Sequence, residues 1–277
     1  MPYPSYPKIT RLLLLPLVLL LMSATALSAA SKKPEQKPSQ KNQDAEYAAC
    51  LDLARKKPDQ ALERAKKWWE SGGNLGPRHC IAVALVAQEK YVQAAKILED
   101  LANDAQEEVA PLRADLFDQA GQAYYLAGMS EQAIPLYTKA LNGKPREPDF
   151  LIDRAVARDD IGQHFEAIDD LNLAIEIAPD KPEAWLYRAN AYRHLNSLDL
   201  ALDDANRAVT LSRSPQALLE RATIKSLRKD EAGARADLQT VVKMAPNSIQ
   251  GKEAAKRLKA PQSTPKTPPK PPAKKPN

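Results

Sequence analysis

The chain has 277 residues, of which 44% are hydrophobic, 27% charged and 5% aromatic, so it can bury a core but is not an aromatic-rich β-sandwich. Glycine is scarce, at nine residues, and Ala and Leu abound, which favours helices, while a mean hydropathy of −0.48 excludes a polytopic membrane protein. Two cysteines are too few for a disulfide-built scaffold or a four-cysteine zinc site.

The net charge of +5 conceals a difference between the ends and the middle of the chain. Residues 1–41 hold six basic residues and one acid, and residues 249–277 hold eight and one, which leaves 26 basic and 33 acidic residues between them. A protein that reads nucleic acid usually carries its basic patch on the folded domain. The acidic middle therefore argues against specific nucleic-acid binding.

Residues 1–30 have the three parts of a secretory signal peptide. Lys8 and Arg11 precede an apolar run at residues 12–22, and small residues follow as far as Ala30. The run is shorter than the ~20 apolar residues that span a bilayer, and it contains Pro16. We expect an exported protein, periplasmic in a Gram-negative source and otherwise secreted, that meets the membrane only through this segment before cleavage. An uncleaved N-terminal anchor is the alternative.

Two further segments have too few apolar residues to offset the entropy of the chain. Residues 31–43 are predicted to be a disordered linker. Residues 261–277 contain seven prolines and four lysines and are predicted to be a disordered, solvated tail that favours polyproline II.

A period of 33–34 residues organises the middle of the chain. Pro145 and Pro179 each follow an apolar helical stretch and lie 34 residues apart, and Pro246 continues the series two units later. On this period, residues 114–147, 148–181, 182–214 and 215–248 align as four units. All four have a small residue at the eighth position and Ala at the twentieth: Gly121, Ala155, Ala189 and Ala222, then Ala133, Ala167, Ala201 and Ala234.

These units resemble tetratricopeptide repeats, in which small residues let two helices cross closely and a proline near the end stops the second helix. Two weaker units, residues 42–74 and 75–113, precede them, and residues 249–260 suit a polar capping helix. The resemblance implies an all-α, right-handed α-solenoid of about six antiparallel helix pairs over residues 44–260. A plain helical bundle, the alternative, does not explain the constant spacing.

The resemblance also implies a concave groove, lined by the first helix of each unit, that holds an extended peptide or a partner helix. Carried over position by position, its partner-binding residues are Asp118, Gln122, Tyr125, Val156, Asp159, Asp160, Leu186, Asn190, Arg193 and His194. With Asp115, Asp149 and Glu183 at further groove positions, acids outnumber bases, which predicts a basic or neutral partner segment. The alternative for each residue is a solvated helix face.

Cys50 and Cys80 fall in the first helices of neighbouring units, which pack side by side in such a solenoid. In an exporting compartment two such thiols can oxidise. The sequence therefore predicts a Cys50–Cys80 disulfide that joins the first unit to the second. Two buried free thiols are the alternative, because free cysteine packs as a small hydrophobe.

No catalytic or metal-binding motif occurs: GxSxG, HExxH, the P-loop pattern and CxxC are all absent. The three histidines fall in different units, so no metal site, catalytic site or cofactor is expected. Adjacent acids on a helix point about 100° apart and rarely converge. The pairs at equivalent places in two units are interpreted as a repeated solvated face: Asp169–Asp170 and Asp203–Asp204.

The sequence thus predicts an exported, non-enzymatic scaffold that binds a peptide or helix of a partner in its groove, within an envelope assembly. The alternative is an envelope or cell-surface protein that binds an anionic polymer through its basic Pro/Lys-rich tail. Such binding would be weak and sensitive to salt. Nothing in the sequence indicates an oligomeric state.

Overall fold

The computed structural model describes residues 40–72, 75–105 and 110–259, and in these ranges the chain forms thirteen α-helices and no strand. The helices are α1 (Gln40–Lys56), α2 (Pro58–Glu70), α3 (Leu75–Ala87), α4 (Tyr91–Asp104), α5 (Ala110–Leu126), α6 (Ser130–Gly143), α7 (Pro148–Asp160), α8 (His164–Ile177), α9 (Pro182–His194), α10 (Leu198–Leu211), α11 (Pro215–Leu227), α12 (Glu231–Met244) and α13 (Ile249–Lys259). None of these helices combines the length and apolar character needed to cross a membrane.

Consecutive helices pair, α1 with α2 through α11 with α12, which gives the six helix pairs expected from the sequence. The turn within each later pair contains one residue with positive φ at the same place. These residues are Glu89, Gly128, Gly162, Asn196 and Lys229. Glycine adopts this conformation without strain and Asn tolerates it, whereas Glu and Lys do so at a cost. The backbone therefore repeats even where the residue type changes.

Prolines mark both sides of the junctions between pairs. Pro182 and Pro215 are the first residues of their helices, where the missing N–H costs no hydrogen bond. Pro179 lies just beyond the end of α8, and Pro246 just beyond the end of α12. After α8 and α12, the proline is a residue that cannot continue the preceding helix.

The small residues of the repeat are buried where the helices cross. Ala189 and Ala201 of one unit have no exposed surface. A Cβ atom added at Gly121 would lie 2.7 Å from Cε1 of Tyr137, so the ring of Tyr137 occupies the space that a larger residue would need. The predicted role of the small positions is confirmed.

First helices of neighbouring units contact each other: α7 touches both α5 and α9, and α9 touches α11. Among the described helices, second helices of neighbouring units make at most marginal contacts. Since the first helices are packed more closely, they lie on the inner, concave side of the solenoid.

The ends of the solenoid agree with the sequence in part. Helix α13 packs on α12 and α11 and buries Ala254, as expected of a capping helix. Residues 40–43 lie in helix α1, so the predicted linker is wrong for these four residues. These residues are polar, and a criterion based on apolar content cannot detect that they are helical. The predicted signal peptide, the rest of the linker and the tail lie outside the described residues.

The predicted disulfide is present. Cys50 on α1 and Cys80 on α3 are bonded, with a Cα–Cα distance of 6.1 Å, and both residues are fully buried. The bond joins the first helices of the first two pairs.

Candidate partner-binding groove

The ten predicted groove residues lie on α5, α7 and α9, and the structure gives them unequal access to solvent. Six are buried: Asp118, Gln122, Val156, Asp159, Leu186 and Asn190. Three are half-buried, namely Tyr125, Arg193 and His194, and Asp160 is exposed. The buried residues lie where neighbouring first helices pack together, so most of their surface is used inside the solenoid. The accessible part of the predicted set therefore consists of Tyr125, Asp160, Arg193 and His194.

Asp118 and Gln122 belong to a buried polar network between α5 and α7. The amide nitrogen of Gln122 donates to Oδ2 of Asp118 at 2.8 Å and to Oδ2 of Asp153 at 2.7 Å. Within the described residues, Oδ1 of Asp118 and Oε1 of Gln122 have no hydrogen-bond partner. Burial, and then the negative charge of Asp153, raise the pKa of Asp118 well above its ordinary value. This raised pKa favours a neutral carboxyl group at the junction.

Asp160, the last residue of α7, connects to the preceding repeat. Its Oδ2 accepts from Oγ of Ser130 at 3.3 Å, and its carboxylate is hydrogen-bonded to Tyr125. Partial removal of its carboxylate from water raises the pKa of Asp160, although these two hydrogen bonds oppose the rise. The ends of α5 and α7 are thus joined by Tyr125 and Asp160.

Arg193 makes the corresponding connection from α9 to α11. Its Nε donates to Oε1 of Glu220 at 2.6 Å, and its Nη2 donates to Oδ1 of Asn190 at 2.6 Å. Nη2 also lies 3.3 Å from Nε2 of His194. The ion pair with Glu220 offsets the positive charge that Arg193 would otherwise present to a partner.

His194 and His164 meet at one carboxylate, that of Asp159. The Nδ1 atom of His164 lies 2.6 Å from Oδ1 of Asp159, and that of His194 lies 3.1 Å from Oδ2. The two imidazole rings are 4.9 Å apart. The expectation that different repeats keep the histidines apart is therefore wrong for this pair, because α7 packs directly against α9. These three residues are the described side chains that could hold a metal ion.

Two of the acids counted toward a negative groove are neutralised by lysines from the following junctions. Lys144 forms an ion pair with Asp115, and Lys181 lies 2.7 Å from Asp149. Because these charges are paired, the accessible acidity of the inner face is smaller than the sequence count indicates. The preference for a basic or neutral partner stays a prediction.

The repeated acid pairs are not fully solvated, contrary to the interpretation of the sequence. Asp169 and Asp203 are exposed, but Asp170 and Asp204 are buried. Asp170 binds Arg154 and Arg158. The spacing of 16 residues from Arg154 to Asp170 recurs at Arg188 and Asp204, and that recurrence could have identified the pairs from the sequence.

No family model matches the chain. Mouse sperm-associated antigen 1 is 29% identical over 112 residues, which are 40% of this chain and 12% of that protein. The human mitochondrial import receptor subunit TOM70 is 30% identical over 128 residues, which are 43% of this chain and 21% of TOM70. The matched part of the chain thus spans about a fifth or less of the length of these curated relatives.

Solved structures decide the fold. A thermophilic TPR protein from Thermus thermophilus superposes with a TM-score of 0.57 at 17% identity, covering 67% of this chain and 99% of that one. MamA from Desulfovibrio magneticus superposes with a TM-score of 0.53 at 14% identity, covering 62% and 95%. The chain has the fold of tetratricopeptide repeat proteins. Its repeats are the six helix pairs from α1 to α12, and α13 caps the last of them.

In this solenoid, the accessible candidates form a row. Tyr125, Asp160, Arg193 and His194 all lie in the last turn of a first helix, on α5, α7 and α9 in turn. The hydrogen bonds of Asp160 to Tyr125 and of Arg193 to Glu220 tie each helix end to its neighbour. The row therefore runs across three repeats on the inner side of the solenoid.

Proposed function

We propose that this protein is an exported, non-enzymatic scaffold that binds a peptide or helix of a partner protein on the concave side of its repeats, within an envelope assembly. The observation that carries the proposal is the row of accessible polar side chains at the ends of α5, α7 and α9. The proposed export rests on the signal-peptide features of residues 1–30.

The spacing of the row suits a short extended segment. Packed helices lie about 8–10 Å apart, so the row crosses roughly 20 Å, a length that about six residues of extended chain would cover. Tyr125 and Asp160 supply a hydroxyl and a carboxylate at one end of the row, and Arg193 supplies a guanidinium at the other. These groups can bond the amide N–H and C=O groups of a bound backbone.

The charges of the row favour a neutral or basic partner segment. Asp160 is exposed, whereas the guanidinium of Arg193 is paired with Glu220. The accessible charge in the row is therefore negative on balance, and a partner lysine or arginine near Asp160 would gain a charge-assisted hydrogen bond.

The relatives agree with a binding role rather than with catalysis. TOM70 is named as a subunit of a mitochondrial import receptor, and a receptor acts by binding. We transfer only this general mode of action to the present chain, because the match covers 21% of TOM70.

The experiment is crosslinked capture from the compartment that holds the protein, followed by mass spectrometry, with two charge-reversal variants. Asp160→Lys changes the row, and Asp169→Lys makes the same change at an exposed acid on the second helix α8. We expect a partner whose recovery falls at least tenfold with Asp160→Lys and is unchanged with Asp169→Lys. Equal recovery from both variants would contradict binding at the row.

The alternative function, binding of an anionic polymer by the tail, is favoured by one feature. The last turn of α13 carries Lys256, Arg257 and Lys259, which continue the basic tail into the folded part. Polymer binding of this kind would disappear at moderate salt and on deletion of residues 261–277, because exposed charges are screened beyond ~8 Å at physiological ionic strength. Groove binding would survive both changes.

A further inference from the structure

Asp159, His164 and His194 converge from three helix ends. Asp159 lies in the last turn of α7, His164 is the first residue of α8, and His194 is the last residue of α9. One carboxylate oxygen and one nitrogen of each imidazole all lie within 4.8 Å of one another. From this arrangement we propose that the three residues bind one divalent transition-metal ion, Zn²⁺ in the first instance, between the fourth and fifth repeats.

The donor set determines the class of metal. Two imidazole nitrogens and one carboxylate oxygen suit Zn²⁺ and neighbouring first-row ions. Ca²⁺ and Mg²⁺ prefer sites made of oxygen atoms, and this cluster has only one oxygen-bearing side chain. The absence of a thiolate distinguishes the cluster from sites that select Cu⁺ or iron–sulfur groups.

The distances from both histidines to the carboxylate are close to those of a zinc site. Bonds of about 2.0–2.1 Å to a tetrahedral zinc ion place neighbouring ligand atoms roughly 3.3 Å apart. His194 already meets this spacing, with its Nδ1 3.1 Å from Oδ2 of Asp159 and 3.2 Å from Oδ1. His164 lies closer, at 2.6 Å, and would move outward by a few tenths of an ångström. A carboxylate only accepts hydrogen bonds, so each Nδ1 now donates a proton to it, and the metal ion would replace both protons.

The solvent exposure of the three side chains would also allow an ion to enter from solution. The side chains of His164 and His194 are 24% and 17% exposed, whereas that of Asp159 is 7% exposed. The ion would therefore rest on a buried carboxylate and remain open to solvent on the imidazole side. Three protein ligands leave a coordination position for water or for a donor atom of a bound partner.

Arg193 is the nearby group that would have to adjust. A histidine that binds metal through Nδ1 carries its proton on Nε2, and Nε2 of His194 now lies 3.3 Å from Nη2 of Arg193. The other contacts of Arg193, to Glu220 and Asn190, are both 2.6 Å long. The guanidinium can therefore give up the longest of its three contacts and remain in place. Metal binding would in this way connect the cluster to the row of groove residues.

The test is calorimetric titration of the full chain with Zn²⁺ after treatment with a chelator, under non-reducing conditions so that the disulfide stays closed. We expect one ion per chain. His164→Gln keeps a hydrogen-bond donor for Asp159 but removes a ligand, and we expect it to weaken zinc binding at least tenfold, since even partners of metal ligands are worth about 10–100-fold. Tetrahedral Co²⁺ absorption in the wild type, lost in His164→Gln, would identify the coordination directly.

A matched pair of variants controls for loss of the fold and for non-specific zinc binding. Asp159→Asn removes the charged ligand, and Asp169→Asn makes the same change at an exposed acid of α8. We expect Asp169→Asn to bind zinc like the wild type and Asp159→Asn to bind at least tenfold more weakly, with both variants giving the helical circular dichroism of the wild type. No zinc binding by the wild type, or equal affinity in all four proteins, would overturn the proposal. The assay is independent of any partner, so it can fail while the proposed scaffold function stands.

Discussion

The guanidinium of Arg188 holds both carboxylate oxygens of Asp204, with Nε 2.7 Å from Oδ2 and Nη2 2.8 Å from Oδ1. The same pairing joins Arg221 to Asp237, at 2.9 and 2.7 Å. Each pair connects the first helix of a repeat to its second helix across 16 residues, and Arg154 with Asp170 makes a third. The fourth, fifth and sixth repeats therefore share a buried ion pair in addition to their apolar crossing.

Arg188→Ala is expected to lower the free energy of unfolding by about 3 kcal/mol, because it leaves the buried carboxylate of Asp204 without its partner. Arg146→Ala is the control, since Arg146 pairs with Glu176 with both side chains about two-thirds exposed. Exposed pairs contribute about 0–1 kcal/mol, so the control should change stability little. Urea unfolding of both variants makes the comparison, and equal losses would show that the buried ion pair has no special role.

Asp118→Asn tests the buried network of α5 and α7 through its pH dependence. Burial and the charge of Asp153 raise the pKa of Asp118, so the folded state keeps this proton at a higher pH than the unfolded state. The contribution of Asp118 to the free energy of unfolding is complete below its unfolded pKa of about 3.9. This contribution is lost as the pH rises through the folded pKa.

An asparagine at position 118 is neutral at every pH, so the Asp118→Asn variant should lose less stability than the wild type as the pH rises. The measurement is the free energy of unfolding between pH 4 and 9 for the wild type, for Asp118→Asn and for the exposed control Asp203→Asn. A profile of Asp118→Asn parallel to that of the wild type would mean that Asp118 does not titrate differently in the folded state.

The Cys50–Cys80 bond closes a loop with a sequence separation of 30 residues. By the chain-entropy argument, such a loop contributes about 3–4 kcal/mol to stability. Reduction of the wild type should lower the free energy of unfolding by this amount, whereas the Cys50→Ala/Cys80→Ala variant should not respond to reductant. Peptide mapping of the protein from its native compartment should recover the linked peptides; free thiols at both positions would refute the bond.

Gly121→Ala is expected to cost about 1–3 kcal/mol, because the new Cβ would overlap the ring of Tyr137 and overpacking has a cost of this size. The next repeat combines Ala155 with Leu171 at the equivalent places. In a Tyr137→Leu background the cost of Gly121→Ala should therefore fall below about 1 kcal/mol, as expected for coupled neighbours. Thermal or urea unfolding of the double-mutant cycle measures this coupling. If Gly121→Ala costs the same stability in the wild-type and Tyr137→Leu backgrounds, the ring of Tyr137 is not the source of the cost.

The fold was predictable from the sequence because the repeat imposes one local geometry many times. Small residues such as Ala189 and Ala201 recur at fixed positions, and helix-stopping prolines such as Pro179 recur at the junctions. These signals depend on residue size and backbone restriction, which act within a single repeat. Residues 40–43 of α1 are polar and carry no such signal, so the predicted linker extended into the helix.

The site was less predictable because it depends on how one repeat lies against the next. His194 and Asp159 are 35 residues apart, one repeat plus one residue, and their contact follows from the packing of α9 on α7. Burial of Asn190 and Leu186 has the same origin, since the inner positions of neighbouring first helices face each other. A position carried over from a repeat pattern indicates the inner side of the solenoid but not how much of the side chain a partner can reach.

The proposed function requires a partner that contacts the inner side of the repeats at the ends of the first helices. Site-specific photocrosslinking tests it most directly, with p-benzoylphenylalanine placed at Tyr125 on α5 or, as the control, at the exposed Leu200 on the second helix α10. We expect a partner adduct from position 125 that increases with partner concentration, and none from position 200. The same adduct from both positions, or from position 200 alone, would contradict the proposed function.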